Sequence, residues 1–336
     1  METTNKQHRR QKLALKRELR RNKSARYSLN ASPLWRIAGP EKLAALLKMS
    51  IGEIRAVANR PSYRCFDEKP SKPGKAPRHI QEPRDHTLHL HYQFTKLLDR
   101  IERPDFLHSA TKKRSHITNA ASHQGNNPIV STDIEKFYEN TTRAHVKNFL
   151  LHDMHWPIDL ASLMADALTI DGHLPTGSAV SPILSYFAHH VKFKKIEALC
   201  KSRGCQITLF IDDISISGEH ASMSLLKMVK NILHSSGLRT HKDRSAPEGS
   251  SVIITGVVRT RDGIRLRNKH RKDINESLKN IESGESEPTD SLRSKISAAK
   301  CVDPVGIAPL ERKFNILNKS PSRVGPTKTD QSPVQK

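Results

Sequence analysis

Two adjacent carboxylates, Asp212 and Asp213, interrupt an apolar run, Ile207-Thr-Leu-Phe-Ile-Asp-Asp-Ile-Ser-Ile-Ser217. The flanks predict two short buried strands, and a pair of charges fits between them at the tip of a tight hairpin. Carboxylates ~4 Å apart repel by ~4 kcal/mol at an effective dielectric of about 20. A divalent cation is the simplest partner that offsets this. A third carboxylate, Asp133, closes another apolar run, Pro128-Ile-Val-Ser-Thr-Asp133. Three acids at strand ends suit a two-metal site for phosphoryl or nucleotidyl transfer. As hard oxygen donors they suit two Mg²⁺ ions, with Mn²⁺ as a substitute. The plainer alternative is an exposed Asp-Asp turn without chemistry; the apolar flanks on both sides argue against it.

The pattern around these acids predicts a strand ending at Asp133, helices near 142–152 and 157–170, and a long helix from Pro182 to about Arg203. Strands 206–212 and 214–217 follow, then a helix over 221–236 stopped by Gly237, and a strand over 251–260. The Asp262-Gly263 turn pairs that last strand with Ile264-Arg-Leu266. Strand, helices, strand, strand, helix, strand is the split β-α-β of a ferredoxin-like sheet in an α+β fold. It lays the Asp133 strand beside the Asp212 hairpin. Upstream, helices are expected over 41–49, from the capping box Ser50-Ile-Gly-Glu53, and over 86–102, with an extended hairpin or loop from Lys69 to Pro83. Helices 268–282 and 290–300 read as an appended helical subdomain, and the polar, Pro-rich segment from Ser320 as disordered.

The 336 residues carry 57 Lys and Arg against 34 Asp and Glu, a formal charge of +23. Such an excess favours a polyanion, most simply nucleic acid, with steeply salt-dependent binding. Lys and Arg dominate an N-terminal extension, with Arg9-Arg10, Lys16-Arg17 and Arg20-Arg21. No long basic amphipathic helix with aromatic anchors and no apolar stretch of spanning length is present, so no membrane partner is expected. The four cysteines lack CxxC or zinc spacing and read as free thiols of a reducing cytoplasm. His86, His89 and His91 lack an acid or thiolate to complete a metal set and read as solvated or RNA-facing.

The ordered blocks resemble a bacterial retron-type reverse transcriptase from about Tyr63 to about Lys272. Asp133-Ile-Glu-Lys-Phe-Tyr138 resembles the family's D-I-x-x-F-F, Leu174-Pro-Thr-Gly-Ser-Ala-Val-Ser-Pro182 its L-P-x-G-x-P-x-S-P, and Phe210-Ile-Asp-Asp213 its Y-A-D-D. Each block is weak alone; their order and spacing together are specific. Asn119-Ala-Ala-Ser-His123 and Ile254-Thr-Gly256 resemble the N-A-x-x-H and V-T-G elements of retron enzymes.

The resemblance implies a right-hand polymerase. Residues 36–265 would be fingers and ferredoxin-like palm, and 266–319 a small helical thumb, flanked by the 1–35 extension and the 320–336 tail. Asp133, Asp212 and Asp213 would be the catalytic metal ligands. Arg78 would pair with triphosphate oxygens, because a forked guanidinium suits that task; Lys72 and Lys75 would be further contacts or, alternatively, solvated loop charges. The Tyr138 ring would exclude a ribose 2′-hydroxyl, and Gly177 would let the backbone approach the nascent base pair. Asn119, His123, Thr255 and Gly256 would help hold RNA, although a buried bracing pair is the other reading of Asn119 and His123. Departures stand beside the matches. Phe210 and Ile211 replace Tyr and Ala, Ala179 replaces Pro, and Arg244 stands where Lys is usual in Gly237-Leu-Arg-Thr-His-Lys-Asp-Arg-Ser245. Arg is a poorer acid toward departing pyrophosphate, which predicts slower chemistry, with Lys242 as a substitute.

The implied function is RNA-directed DNA synthesis on a dedicated structured non-coding RNA that serves as template and primer. Deoxynucleoside triphosphates would be consumed and an msDNA-type RNA–DNA product formed, in antiphage defence with an effector protein. The alternatives are an abortive-infection or other non-retron bacterial reverse transcriptase, and an RNA-binding palm protein that has lost catalysis. The presence of all three acids argues against the last.

Overall fold

The strand that ends in Asp133 and the hairpin that carries Asp212 and Asp213 are neighbours in one sheet. The computed structural model describes residues 26–70 and 76–318. Strands β1 (Tyr63–Glu68) and β2 (Arg78–Pro83) form an antiparallel hairpin of their own. Strands β3 (Ile129–Ile134), β4 (Gln206–Phe210), β5 (Asp213–Ser217) and β6 (Thr240–Ala246) make an antiparallel sheet in the order β4-β5-β3-β6. Helices connect β3 to β4 while β5 lies between them, so the split β-α-β order expected from the sequence is present. Apolar alternation explains the pairing: β3 buries Ile129, Val130 and Ile134, and β5 buries Ile214 and Ile216.

The last strand differs from the expectation. The edge strand of this sheet is Thr240–Ala246, not 251–260. Its residues are polar and mostly exposed, so they carry no apolar alternation. The segment 251–260 instead breaks into β7 (Val252–Ile254) and β8 (Val257–Thr260), and with β9 (Gly263–Arg265) forms a separate three-stranded sheet. The break is a tight turn at Thr255 and Gly256, both left-handed with φ of 45° and 86°. Two consecutive positive-φ residues make the hairpin turn whose twist matches its strands.

Helices α1 (Pro40–Leu47), α2 (Ile51–Asn59), α3 (Asp85–Asp99) and α4 (His116–Ala121) precede the sheet. The capping box that starts α2 is present: Ser50 Oγ accepts from Glu53 N at 3.2 Å, and Ser50 N donates to Glu53 Oε2 at 2.7 Å. Between β3 and β4 run α5 (Phe137–Asn140), α6 (Arg143–Asn148), a π-helical turn, α7 (Ile158–Leu168) and α8 (Ser181–Lys201). The 21-residue α8 buries Ile183, Leu184, Tyr186, Phe187, Phe193 and Ile196, and α3, α6 and β4 pack against it. Helix α9 (Met223–His234) ends before the left-handed Gly237.

His91 corrects its sequence reading. It is fully buried in α3, with Nε2 donating to the Ala167 carbonyl at 3.0 Å and Nδ1 accepting from Ser178 Oγ at 2.7 Å. Burial pushes its pKa down to about 4, so it is a neutral core residue.

Beyond β9, α10 (Asn268–Glu282) and α11 (Asp290–Val302) are joined by a third helix, α12 (Pro304–Leu317), absent from the sequence reading. Asp303 caps it by accepting from Gly306 N at 2.8 Å. Ile274, Leu278, Leu292, Ile296, Ile307 and Phe314 give these helices a core of their own. Val302 joins Ile129, Ile254 and Val257 in a smaller cluster that ties them to the sheets. Among the described residues, no helix is long and apolar enough to cross a membrane. The basic extension before residue 26, Lys72 and Lys75, and the segment from Ser320 lie outside the described residues.

Candidate active site

Register puts the acids together. Along β3 and β5 the cross-strand pairs run from Ile129 with Ser217 to Asp133 with Asp213. Asp212 occupies the two-residue turn between Phe210 and Asp213, and its carbonyl accepts from Ile134 N at 2.8 Å. This bond pins the hairpin tip to the end of β3. The other turn residue, Ile211, is left-handed with φ of 60°, an uncommon conformation for a β-branched side chain. The outer edge of β4 is covered by segment 106–108, through Leu209 N to Phe106 O at 2.8 Å and His108 N to Leu209 O at 2.9 Å.

Two of the three carboxyls resist ionisation and the third is stabilised as an anion. Burial raises the pKa of Asp212, and the charge of Asp133 adds to the rise. Burial, a hydrogen bond with Asp133 and the charges of both other acids push Asp213 up to about 7. Burial also opposes ionisation of Asp133, but hydrogen bonds from Asp213 and Lys242 and the charges of Lys242 and Arg244 hold it below the ordinary range. Lys242 Nζ donates to Asp133 Oδ2 at 2.7 Å. Among the described residues no group of three or more His, Cys, Asp or Glu side chains is assembled as a metal cluster. The donor chemistry nevertheless fits a hard divalent cation: oxygen ligands only, two of them cross-strand partners, and an excess of buried negative charge that such an ion relieves.

Tyr138 and Arg244 join this group. Burial first, and then the charge of Asp212, raise the Tyr138 hydroxyl's pKa, and its ring stacks on the buried Phe137 with centroids 6.3 Å apart. Arg244 is opposite Ser131 on β3 and shares with Asp213 a cleft of about 680 Å³. Thr255, Gly256 and Arg267 line the same cleft, so the Thr255–Gly256 turn shares it with Asp213 although its strand is not in that sheet. Arg267 was missed by the sequence reading, because nothing local marks one basic residue before a helix.

Arg78 is exposed at the start of β2, opposite Glu68. The β2 strand is tied to the segment before α8: Thr176 Oγ1 donates to His79 O at 2.7 Å and accepts from Gln81 N at 3.1 Å, and Gly177 N donates to Gln81 O at 3.1 Å. A Cβ on Gly177 would lie 2.7 Å from Gln81 O. The glycine is therefore required by the approach of β2, a requirement that the sequence reading did not contain.

Asn119 and His123 are both fully buried. Asn119 Nδ2 donates to Thr255 Oγ1 at 3.3 Å, and His123 bonds Ser217 Oγ and Thr208 Oγ1, each at 2.7 Å. They tie the α4 region to β4, β5 and the β7–β8 turn, so neither side chain is presented to an RNA in this conformation. Arg259 continues the brace. Nearly fully buried, it donates to the carbonyls of His123 and Ser250 at 2.9 and 3.2 Å and to that of Asn127. Sequence reasoning missed it because an Arg in a short strand ordinarily faces solvent.

No protein-family model matches the chain. Among curated proteins it is similar to the retron Ec86 reverse transcriptase of Escherichia coli, 25% identical over 276 residues that cover 77% of this chain and 85% of that protein. It is 27% identical over 227 residues to the retron Se72 reverse transcriptase of Salmonella heidelberg, covering 66% of this chain and 51% of that protein. With the retron Mx162 reverse transcriptase of Myxococcus xanthus it shares 25% identity over 195 residues, which cover 49% of this chain and 40% of that protein. The chain thus spans most of the first relative and about half or less of the other two.

Proposed function

These matches support a retron-type reverse transcriptase, an RNA-directed DNA polymerase, and on that premise we propose that the chain copies part of a dedicated structured RNA into single-stranded DNA at Asp133, Asp212 and Asp213. The observation that carries the reading is the pairing of Asp133 with Asp213 across β3 and β5, with Asp212 at the adjoining tip. Three partly buried acids at one sheet end have no use in a passive RNA-binding surface, where they would repel phosphate.

In the reaction, a terminal 3′-hydroxyl gives up its proton to solvent and attacks the α-phosphorus of a deoxynucleoside triphosphate, the new O–P bond forms, and the bond to the bridging oxygen breaks to release pyrophosphate. The three Asp side chains would hold divalent ions, Mg²⁺ by donor hardness, and such ions would supply Lewis-acid activation of the hydroxyl and charge neutralisation on the pyrophosphate. Arg244 faces the departing phosphates from β6, and Arg78 from β2 pairs with triphosphate oxygens, with Lys72 as a further contact. The Tyr138 ring stands beside Asp212 where a ribose 2′-hydroxyl would fall. Gly177 keeps β2 close to the segment that leads into α8. Asn119 and His123 act from within, Asn119 fixing the turn at Thr255 and Gly256 that meets RNA and His123 bracing β4 and β5 beside it.

In this reading the β1–β2 hairpin belongs to the fingers, the four-stranded sheet is the palm, and α10–α12 form the thumb, with boundaries near 36–265 and 266–319. The product is an msDNA-type RNA–DNA molecule, made in the cytoplasm and used with an effector protein in antiphage defence.

The test is to recover the protein from its native host and sequence the bound nucleic acid. A single short DNA joined to RNA, absent when Asp212→Ala is expressed, is the expected result. RNA alone from both strains would overturn the polymerase reading, and heterogeneous untemplated DNA would overturn the dedicated RNA.

A further inference from the structure

Lys242 is delivered to the acids by an irregularity in β6. The strand pairs with β3 at Ser131–Arg244 and again at Asp133–His241, with a slip in register between them. Within that bulge Lys242 is left-handed, with φ of 56°, a conformation that L residues other than Gly, Asn and Asp rarely adopt. The neighbouring Asp243 is engaged by the Thr132 hydroxyl at 2.7 Å and by Lys230, so it does not draw the Lys242 ammonium away. The ammonium lies 2.7 Å from Asp133 Oδ2, and the two side chains are 56% and 14% exposed. It therefore caps the carboxylate from the solvent side, the side from which an ion and a polyphosphate must arrive.

We propose that Lys242 is a tethered counter-ion, whose ammonium holds a cation position on Asp133 until a divalent ion displaces it. The proposal rests on the reading of Asp133, Asp212 and Asp213 as ion ligands. An arriving divalent ion repels an ammonium at hydrogen-bond distance from the same carboxylate, so the two exclude each other there. The exchange moves only a long exposed side chain, because its backbone is fixed by the bulge. The displaced ammonium then faces solvent, where an anionic polyphosphate takes it up. Ion loading and substrate loading thereby support each other, while the free protein binds ions weakly.

The test measures Mn²⁺ binding to the nucleic-acid-free full chain by the spin-resonance signal of free Mn²⁺, without nucleotide. Lys242→Met should bind Mn²⁺ about two- to fivefold more tightly than the parent, the scale of one largely exposed ion pair removed from the competition. Lys242→Gly, which suits the left-handed backbone, should do the same, and Lys242→Arg should not. Tightening in neither neutral variant, with weakened binding in Asp133→Asn and Asp213→Asn, overturns the counter-ion and leaves the ion site standing. Unchanged binding in both Asn variants overturns the ion site itself, and the proposal with it.

Discussion

Asp133 and Asp213 face one another as cross-strand partners on adjacent antiparallel strands, and burial, aided by the charge of Asp133, raises the pKa of Asp213. Burial and mutual repulsion make this pair costly unless a cation is bound. Asp213→Asn removes the repulsion and keeps the shape. Without metal at pH 8 it should raise stability by about 1–2 kcal/mol, read from urea unfolding, while primer extension falls by about a thousandfold or more.

Gly177→Ala places a methyl 2.7 Å from the Gln81 carbonyl and 3.0 Å from Ile80 Cγ2. Backbone there cannot yield without opening the contact between β2 and the start of α8. A loss of about 1–3 kcal/mol is expected in thermal melts, with a raised KM for deoxynucleotides.

Arg259 spends its guanidinium on three backbone carbonyls that join the α4–β3 loop to the small sheet. Arg259→Met should cost about 3 kcal/mol in urea unfolding, and Arg259→Lys should recover little, since a single ammonium cannot reach three acceptors in a fork.

Buried histidines, His91, His123 and His189 among them, should make stability acid-sensitive. Burial pushes His91 down to about 4 and His123 and His189 to about 3, from an ordinary 6.5. Above pH 6.5 neither the folded nor the unfolded state protonates them. Below it the unfolded chain binds protons that the folded one refuses, so stability falls toward pH 4. Each contributes up to about 1.4 kcal/mol per pH unit. Unfolding midpoints between pH 7.5 and pH 4.5 check this, and His91→Gln should flatten the slope.

Tyr138 stands beside Asp212, with its ring fixed on Phe137. Tyr138→Ala should open space for a 2′-hydroxyl and raise ribonucleotide incorporation relative to deoxynucleotide by about 10–100-fold, on the scale of steric discrimination between substrates. Single-nucleotide extension with each substrate measures the ratio.

Much of this was legible in the chain. Asp133, Asp212 and Asp213 stood out because charge at the end of an apolar strand needs a reason, and apolar periodicity placed α8 and both halves of the Asp212 hairpin. The element order sufficed to lay β3 beside the β4–β5 hairpin, because a split β-α-β unit places the later hairpin next to the first strand. Polar elements escaped: β6 lacks an apolar face to announce it, and the turn at Thr255–Gly256 lies in a run of β-formers that reads as one strand. Tertiary structure alone decided that Gly177 meets β2, that Asn119, His123 and Arg259 form a buried brace, and that Lys242 caps Asp133. Each depends on residues distant in sequence arriving at one point, and on backbone spacing and desolvation there, neither of which a local pattern encodes.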